Sequence, residues 1–212
     1  MLKSLTRYIT LPARMLGKLV RGEKLFVQVL SKESWDRDFQ SGRWDQLHSK
    51  HLGSGNMAVI AHLLLFLSDN KSKRLLDVGC GNGALLRTLE SLRQQFEYVG
   101  TDISSVALNQ LSKAHPSATT ICTNMLDVDT IPGDFDFVLF SECLYYVDYE
   151  AAVQRYRTKV RPNGFVIVSM HGRGSRRILW STISRHFNEV LSFTIRENQS
   201  DTQWTIKAYQ YR

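Results

Sequence analysis

From residue 54 onward, short apolar runs alternate with amphipathic stretches of helical period, the pattern of a parallel sheet wrapped by helices. Residues 54–67 place Met57, Ile60, Ala61, Leu64 and Leu67 on one helical face. A buried strand is predicted over 74–78 and a helix over 84–94, with a glycine-rich turn between them. A second strand over 98–102 is followed by a helix that Ser104-Ser105 caps and His115-Pro116 stops. Strands over 118–122 and 135–141 come next, the latter entered through Pro132-Gly133-Asp134. A helix over 149–160, the turn Arg161-Pro162-Asn163-Gly164, a strand over 165–170 and a helix reaching Phe187 complete the alternation. Residues 189–196 and 202–211 then alternate as an antiparallel hairpin. Seven strands ending in such a pair predict an α/β fold, with a doubly wound, mostly parallel sheet of order 3-2-1-4-5-7-6 and an antiparallel last strand.

Chemistry enters at the first turn. In Asp77-Val78-Gly79-Cys80-Gly81-Asn82-Gly83 the glycines let the backbone fold sharply and approach a ligand, and the helix start offers N–H groups to an anionic or polar one. Spacing alone leaves the ligand open, because Gly79-x-Gly81-x-x-Ala84 also fits the loose dinucleotide fingerprint. Asp77 separates the readings: a carboxylate at the end of the strand repels a pyrophosphate and suits a cationic or amino-bearing ligand. Tyr98-Val99-Gly100-Thr101-Asp102 ends in a second acid, 19 residues beyond Gly83, able to accept hydrogen bonds from both hydroxyls of a ribose. Together, Asp77, the Gly-x-Gly-x-Gly run and Asp102 resemble the signature of class I S-adenosylmethionine (SAM)-dependent methyltransferases over roughly residues 73–170. Arg161-Pro162-Asn163-Gly164 is close to another landmark of that family.

The resemblance implies a Rossmann-like methyltransferase fold and SAM as cofactor, its methionyl ammonium and sulfonium matched by acids. The implied cofactor contacts are Asp77, Gly79, Cys80, Gly81 and Gly83 in the turn, then Asp102 and Ile103. Asn124 and Met125 follow strand 3, where the family often has an acid instead of Asn124, and Ser141 ends strand 4. Small-molecule members such as the thiopurine methyltransferases carry a segment similar to Trp35…Arg37…Gly42…Trp44 that wraps over the cofactor. Trp35, Phe39 and Trp44 are thereby expected to cover the sulfonium, and Arg43 to reach the methionyl carboxylate; the alternative is that these aromatics only glue the segment to the sheet. Ser141-Glu142-Cys143-Leu144-Tyr145-Tyr146 resembles the nodulation-factor N-methyltransferases, which act on a glucosamine-type amine. That points to a small-molecule, sugar or glycan acceptor. Asp-Pro-Pro-Tyr-type and Pro-Cys signatures of nucleic-acid base methylation are absent, which counts against a nucleic-acid substrate.

A general base is needed only for a hydroxyl or a protonated amine. Glu142 and His171 end adjacent predicted strands and are expected to face the crevice as candidates, each with the alternative of a merely orienting role. Tyr146 joins them as a candidate catalytic residue that also suits pocket shaping. Arg173, Arg176 and Arg177 form a basic loop that binds an anionic part of the substrate or is simply solvated. No metal site is read from the chain. An RNA-directed methyltransferase and a SAM-binding module without catalysis are the competing functions.

At 212 residues the chain has the size of one domain. Residues 25–212 are read as that domain, with a lid and helical segment at 32–67, and residues 1–24 as a basic amphipathic leader. The leader carries six basic residues against Glu23 alone and so holds most of the net charge of +7, which weakens any inference of nucleic-acid binding from charge. Its apolar stripe of Met15, Leu16, Leu19 and Val20 fits a helix packed on the domain, a helix on an anionic membrane surface, or a cleaved transit peptide. Three cysteines without C-x-x-C spacing suit a reducing, cytoplasmic compartment and read as small packing residues at strand ends. If the leader makes peripheral membrane contact, deleting residues 1–22 abolishes sedimentation with anionic liposomes; unchanged sedimentation removes that reading.

Overall fold

A computed structural model of the chain describes residues 31–44, 55–69, 73–172, 177–196 and 203–211. The leader, Ser54, Arg173, Arg176 and the side chain of Arg177, on which several expectations rest, lie outside what it describes. Helices α1 (Lys32–Gln40) and α2 (Gly55–Ser68) precede β1 (Arg74–Val78), α3 (Ala84–Ser91), β2 (Glu97–Asp102), α4 (Ser105–Ala114) and β3 (Thr119–Cys122). The second half runs β4 (Phe135–Ser141), α5 (Tyr149–Tyr156), β5 (Val160–His171), α6 (Arg177–His186), β6 (Phe187–Arg196) and β7 (Gln203–Tyr211). The sheet order is β3-β2-β1-β4-β5-β7-β6, and β7 runs antiparallel to both its neighbours, as the pattern predicts.

Strand alternation divides the core into two. Leu76, Val78, Val138, Phe140, Val166 and Val168 face Ala152, Val153 and Tyr156 of α5 and Leu179 and Ile183 of α6. Leu75, Phe137, Leu139 and Ile167 face α2, α3 and α4, meeting Ile60, Leu64, Leu85, Leu89 and Leu111. Because side chains alternate along a strand, Asp77 falls on the same face as Leu75, the face that packs on α2, α3 and α4.

The elements depart from the pattern in a few places. In α2 the buried positions are Asn56, Ile60, Ala61, Leu63, Leu64 and Ser68, so Leu63 belongs to the core and Met57 and Leu67 sit at its margin. Helix α3 stops at Ser91 rather than near Gln94, although no glycine marks the stop. Arg93 takes φ +56, and the N–H groups of Arg93 and Gln94 close onto the carbonyls of Glu90 and Leu89 in a Schellman cap. The helix over 149–160 is shortened as well, because β5 starts at Val160. Phe135 pairs with Val160 but Phe137 with Phe165, so Arg161-Pro162-Asn163-Gly164 is a bulged excursion within the strand. Asp136 pins it, accepting from Arg161 Nη1 and the Arg74 N–H, each at 2.9 Å. Cys122, at the end of the edge strand β3, is exposed, unlike Cys80 and Cys143.

One register position matters beyond the core. Gly100 pairs with Asp77, and a Cβ on it would lie 2.8 Å from Cys80 Sγ and 3.0 Å from the Tyr98 hydroxyl. Its missing side chain is what lets Tyr98 reach across to Asp77. Gly100→Ala is expected to destabilise the protein by about 1–3 kcal/mol through overpacking, read by urea denaturation. Adding Cys80→Ala, which removes the nearest clashing atom, recovers part of that loss.

Candidate active site

The carboxyl ends of β1, β2 and β4 open into a cleft of about 1240 Å³, open space at its mouth included. Its floor is the first turn. Gly79, Gly81 and Gly83 all adopt positive φ, at +72°, +54° and +86°, which L side chains rarely tolerate. All three also make room for protein neighbours: a Cβ on Gly79 would sit 2.9 Å from Cys143 Cβ, one on Gly81 3.2 Å from Phe39 Cζ and one on Gly83 3.0 Å from Leu111 Cγ. The turn is tied to β2 because the N–H groups of Gly79 and Cys80 both donate to the Thr101 carbonyl, and Gly81 N–H donates to Asp102 Oδ2 at 2.9 Å. Asp102 Oδ1 accepts the Ser104 N–H at 2.8 Å.

Asp77 is 3% exposed and accepts the Tyr98 hydroxyl at 2.8 Å. Burial drives its pKa up to about 7; the Tyr98 hydrogen bond works against the rise and the charge of Asp102 adds to it. Burial also raises Asp102, against the backbone N–H groups that hold it ionised. The thiols of Cys80 and Cys143 line the cleft, but burial pushes both up, so they stand as neutral thiols and not as nucleophiles.

Helix α1 lies over the turn. Asp36 anchors it: Oδ1 accepts from Ser104 Oγ at 2.6 Å and from the Val106 N–H at 3.3 Å, so this α1 residue helps cap α4. Burial works to raise the Asp36 pKa, but hydrogen bonds from Lys32 and Ser104 hold it below its ordinary value. The aromatic rings of α1 and the residues after it pack as a unit. Trp44 stacks on Trp35 and Phe39 with centroids 5.6 and 6.0 Å apart, and Trp35 meets Tyr146 edge-on at 4.9 Å.

On the far side of the cleft Glu142 takes φ +57° just past β4. Its carboxylate accepts from Ser169 Oγ at 3.2 Å, from the His171 N–H at 3.0 Å and from the Tyr145 hydroxyl.

Most of the residues expected from the sequence meet on this cleft: Asp77, Gly79, Cys80, Gly81, Asp102, Ile103, Asn124, Met125, Ser141, Glu142, Tyr146 and Trp44, with Trp35 and Phe39. Three lie elsewhere. Gly83 N-caps α3 and packs on Leu111, where a Cβ would come within 3.0 Å of Cγ. Arg43 pairs with Asp38 at 3.4 Å, because α1 brings that acid nearer to it than the cleft. The His171 ring meets the Trp204 ring, centroids 5.6 Å apart, and its backbone N–H donates to Glu142. Asn124 also differs in what it offers: Oδ1 accepts the Leu126 N–H at 2.9 Å, leaving its NH₂ group as the donor. Sequence reasoning passed over Asn56, Met57, Thr101 and Thr123, which also line the cleft. For Asn56 a signal was present: it is a polar residue in an otherwise apolar helix.

Proton linkage follows from Asp77. Its folded pKa lies above the ordinary 3.8, so between roughly pH 4 and 7 the folded state holds a proton the unfolded chain has lost. Stability therefore falls as pH rises through that window. Asp77→Asn is expected to flatten this slope, measured by denaturation across pH, with a gain at neutral pH of the order of a few kcal/mol.

Comparison with known proteins sets this geometry in context. A family profile described as "Methyltransferase domain" matches residues 54–200. The ubiquinone biosynthesis O-methyltransferase of Paraburkholderia xenovorans (strain LB400) is 31% identical over 122 residues, 54% of this chain and 51% of that protein. The chain thus spans about half the length of the curated relatives it matches. Among solved structures, the N-methyltransferase NodS from Bradyrhizobium japonicum WM9 in complex with S-adenosyl-L-homocysteine (SAH) superposes with TM-score 0.65 at 16% identity, covering 83% of this chain and 99% of that one. Magnesium protoporphyrin IX methyltransferase from Synechocystis PCC 6803 with bound SAH gives 0.67 at 12% identity, covering 85% and 99%. At these identities the likeness is one of fold.

Proposed function

This chain belongs to the methyltransferase-domain family matched over residues 54–200, and on that premise we propose that it transfers the methyl group of SAM to a nitrogen or oxygen of a small acceptor. The placement of Asp77 and Asp102 on one cleft, at the ends of paired strands, carries this reading.

The residues fit the cofactor. Asp77 is a buried acid suited to the methionyl ammonium. A carboxylate has about four lone-pair sites; the N–H groups of Gly81 and Ser104 use two on Asp102, which leaves capacity for both ribose hydroxyls. Asn124 would donate to a ring nitrogen of the adenine, beside Met125. The aromatic group of Trp35, Phe39 and Trp44 suits a sulfonium.

When bound, SAM supplies an electrophilic methyl and a thioether leaving group. The chain's own tasks are to exclude water and to align the acceptor, and α1 with its aromatic rings closes one side of the cleft. Glu142, a carboxylate on the cleft wall, is on this reading the group that takes the proton a hydroxyl or protonated amine gives up. His171 supports it through its backbone N–H, and Tyr146 shapes the wall between lid and acceptor.

Among the described residues the cleft wall carries three carboxylates, Asp77, Asp102 and Glu142, and no Lys, Arg or His. Such a wall favours an acceptor whose reacting end donates hydrogen bonds, a hydroxyl or an amine such as a sugar or glycan presents. The relatives include proteins named as O- and N-methyltransferases.

Thermal-shift titration tests the assignment: SAM and SAH are expected to raise the melting temperature and NAD to leave it unchanged. Calorimetry of SAH binding is expected to show about tenfold or greater loss in Asp102→Ala. In the wild type, SAH affinity falls as pH drops below about 7, where Asp77 takes up its proton, and Asp77→Asn removes that dependence. Stabilisation by NAD in place of SAH overturns the reading.

A further inference from the structure

Asn56 stands at the start of α2 on the cleft wall, 2% exposed. Its Nδ2 donates to Ser169 Oγ at 3.4 Å, and Ser169 Oγ donates to Glu142 Oε1 at 3.2 Å. The direction of this chain is set by its far end. An ionised carboxylate only accepts, so the Ser169 hydroxyl proton goes to Glu142 and its oxygen accepts from the amide. Nδ2 is thereby committed to Ser169, and Oδ1 remains as an acceptor. Among the described residues Oδ1 has no hydrogen-bond partner, and neither does the hydroxyl of Ser141, which also lines the cleft and pairs with Ser169 across β4 and β5.

Burying an amide oxygen without a donor is costly, and a protein keeps such a group where something else supplies the donor. The surroundings say what that donor is. Asn56 lines a cleft wall whose charged groups are all acidic among the described residues, its Oδ1 is buried behind that wall, and Glu142 sits two hydrogen bonds away along the same chain. We propose that Asn56 is a substrate-positioning residue, whose Oδ1 accepts the N–H or O–H of the acceptor atom that is methylated, with Ser169 and Glu142 holding the amide in that orientation. This rests on the methyltransferase reading above and adds to it a residue that selects acceptors by their hydrogen. A tertiary amine or an ether offers Asn56 no donor, whereas a hydroxyl or a primary or secondary amine does.

The test needs no knowledge of the natural acceptor. In sinefungin a carbon bearing an amino group replaces the methyl-bearing sulfur of SAM, so a hydrogen-bond donor sits where the methyl and its acceptor meet. SAH is matched in the rest of its structure but has no donor there. Calorimetry on the full chain is expected to show wild type binding sinefungin about tenfold or more tightly than SAH. Asn56→Leu is expected to lose most of that preference while its SAH affinity stays within about twofold of wild type. Ser169→Ala frees the amide to turn and is expected to lose part of the preference in the same direction, which keeps the test informative if Asn56→Leu folds poorly.

Retention of the full preference in both variants overturns the inference and leaves the methyltransferase reading standing. Equal weakening of both analogues also overturns it, because Asn56 would then serve the cofactor pocket or the fold. A wild type that binds neither analogue overturns the methyltransferase reading and this inference together.

Discussion

Asp77 is held in the sheet between a glycine at its pairing position and a tyrosine hydroxyl that reaches it over that glycine. Burial of this acid raises its pKa to about 7 and sets it against the stability of the fold at neutral pH. Much of the surrounding design follows from that placement. Gly100 has no side chain so that Tyr98 can serve Asp77, and Cys80 fills the same gap with a neutral sulfur. Two positive-φ glycines bring the turn under Cys143, which follows β4, and under Phe39 of α1.

Helix α1 and Asp102 are coupled through a short stretch of backbone. Asp102 accepts from Gly81 on one side and Ser104 on the other, and the Ser104 hydroxyl in turn donates to Asp36 of α1. Turn, strand end, helix cap and lid therefore share one hydrogen-bonded seam. The aromatic rings of α1 continue that seam across the cleft to Tyr146, which follows β4. Helix α1, tied at Asp36 and packed at Trp35, thus lies along the cleft beside Asp102.

Charge is distributed unevenly, and the unevenness bears on chemistry. The chain as a whole is basic, with net charge +7, yet its cleft wall is acidic among the described residues. Whole-chain charge reflects the sum of many solvated side chains, whereas a site feels the few that are desolvated beside it. The same contrast separates the three cysteines: two buried ones in the cleft have their thiols pushed up, and the exposed Cys122 has no such burial.

The glycine turn, the acids at the ends of β1 and β2, and the succession of strands and helices were legible in the sequence because each rests on local rules. A strand end, a tight turn and a period-two pattern are written in neighbouring residues. What the tertiary structure decided was where long side chains go. Arg43 and His171 have the right chemistry for a site, but nearby partners, Asp38 and Trp204, take them away from it. Helix α3 ends at an arginine in the left-handed conformation, and β5 begins before its proline turn, because Asp136 anchors a bulge that no local signal announces. Asn56 shows the same limit from the other side. An asparagine in an apolar helix is visible in the chain, but its orientation depends on Ser169 and Glu142, distant in sequence and adjacent only once β4 and β5 pair.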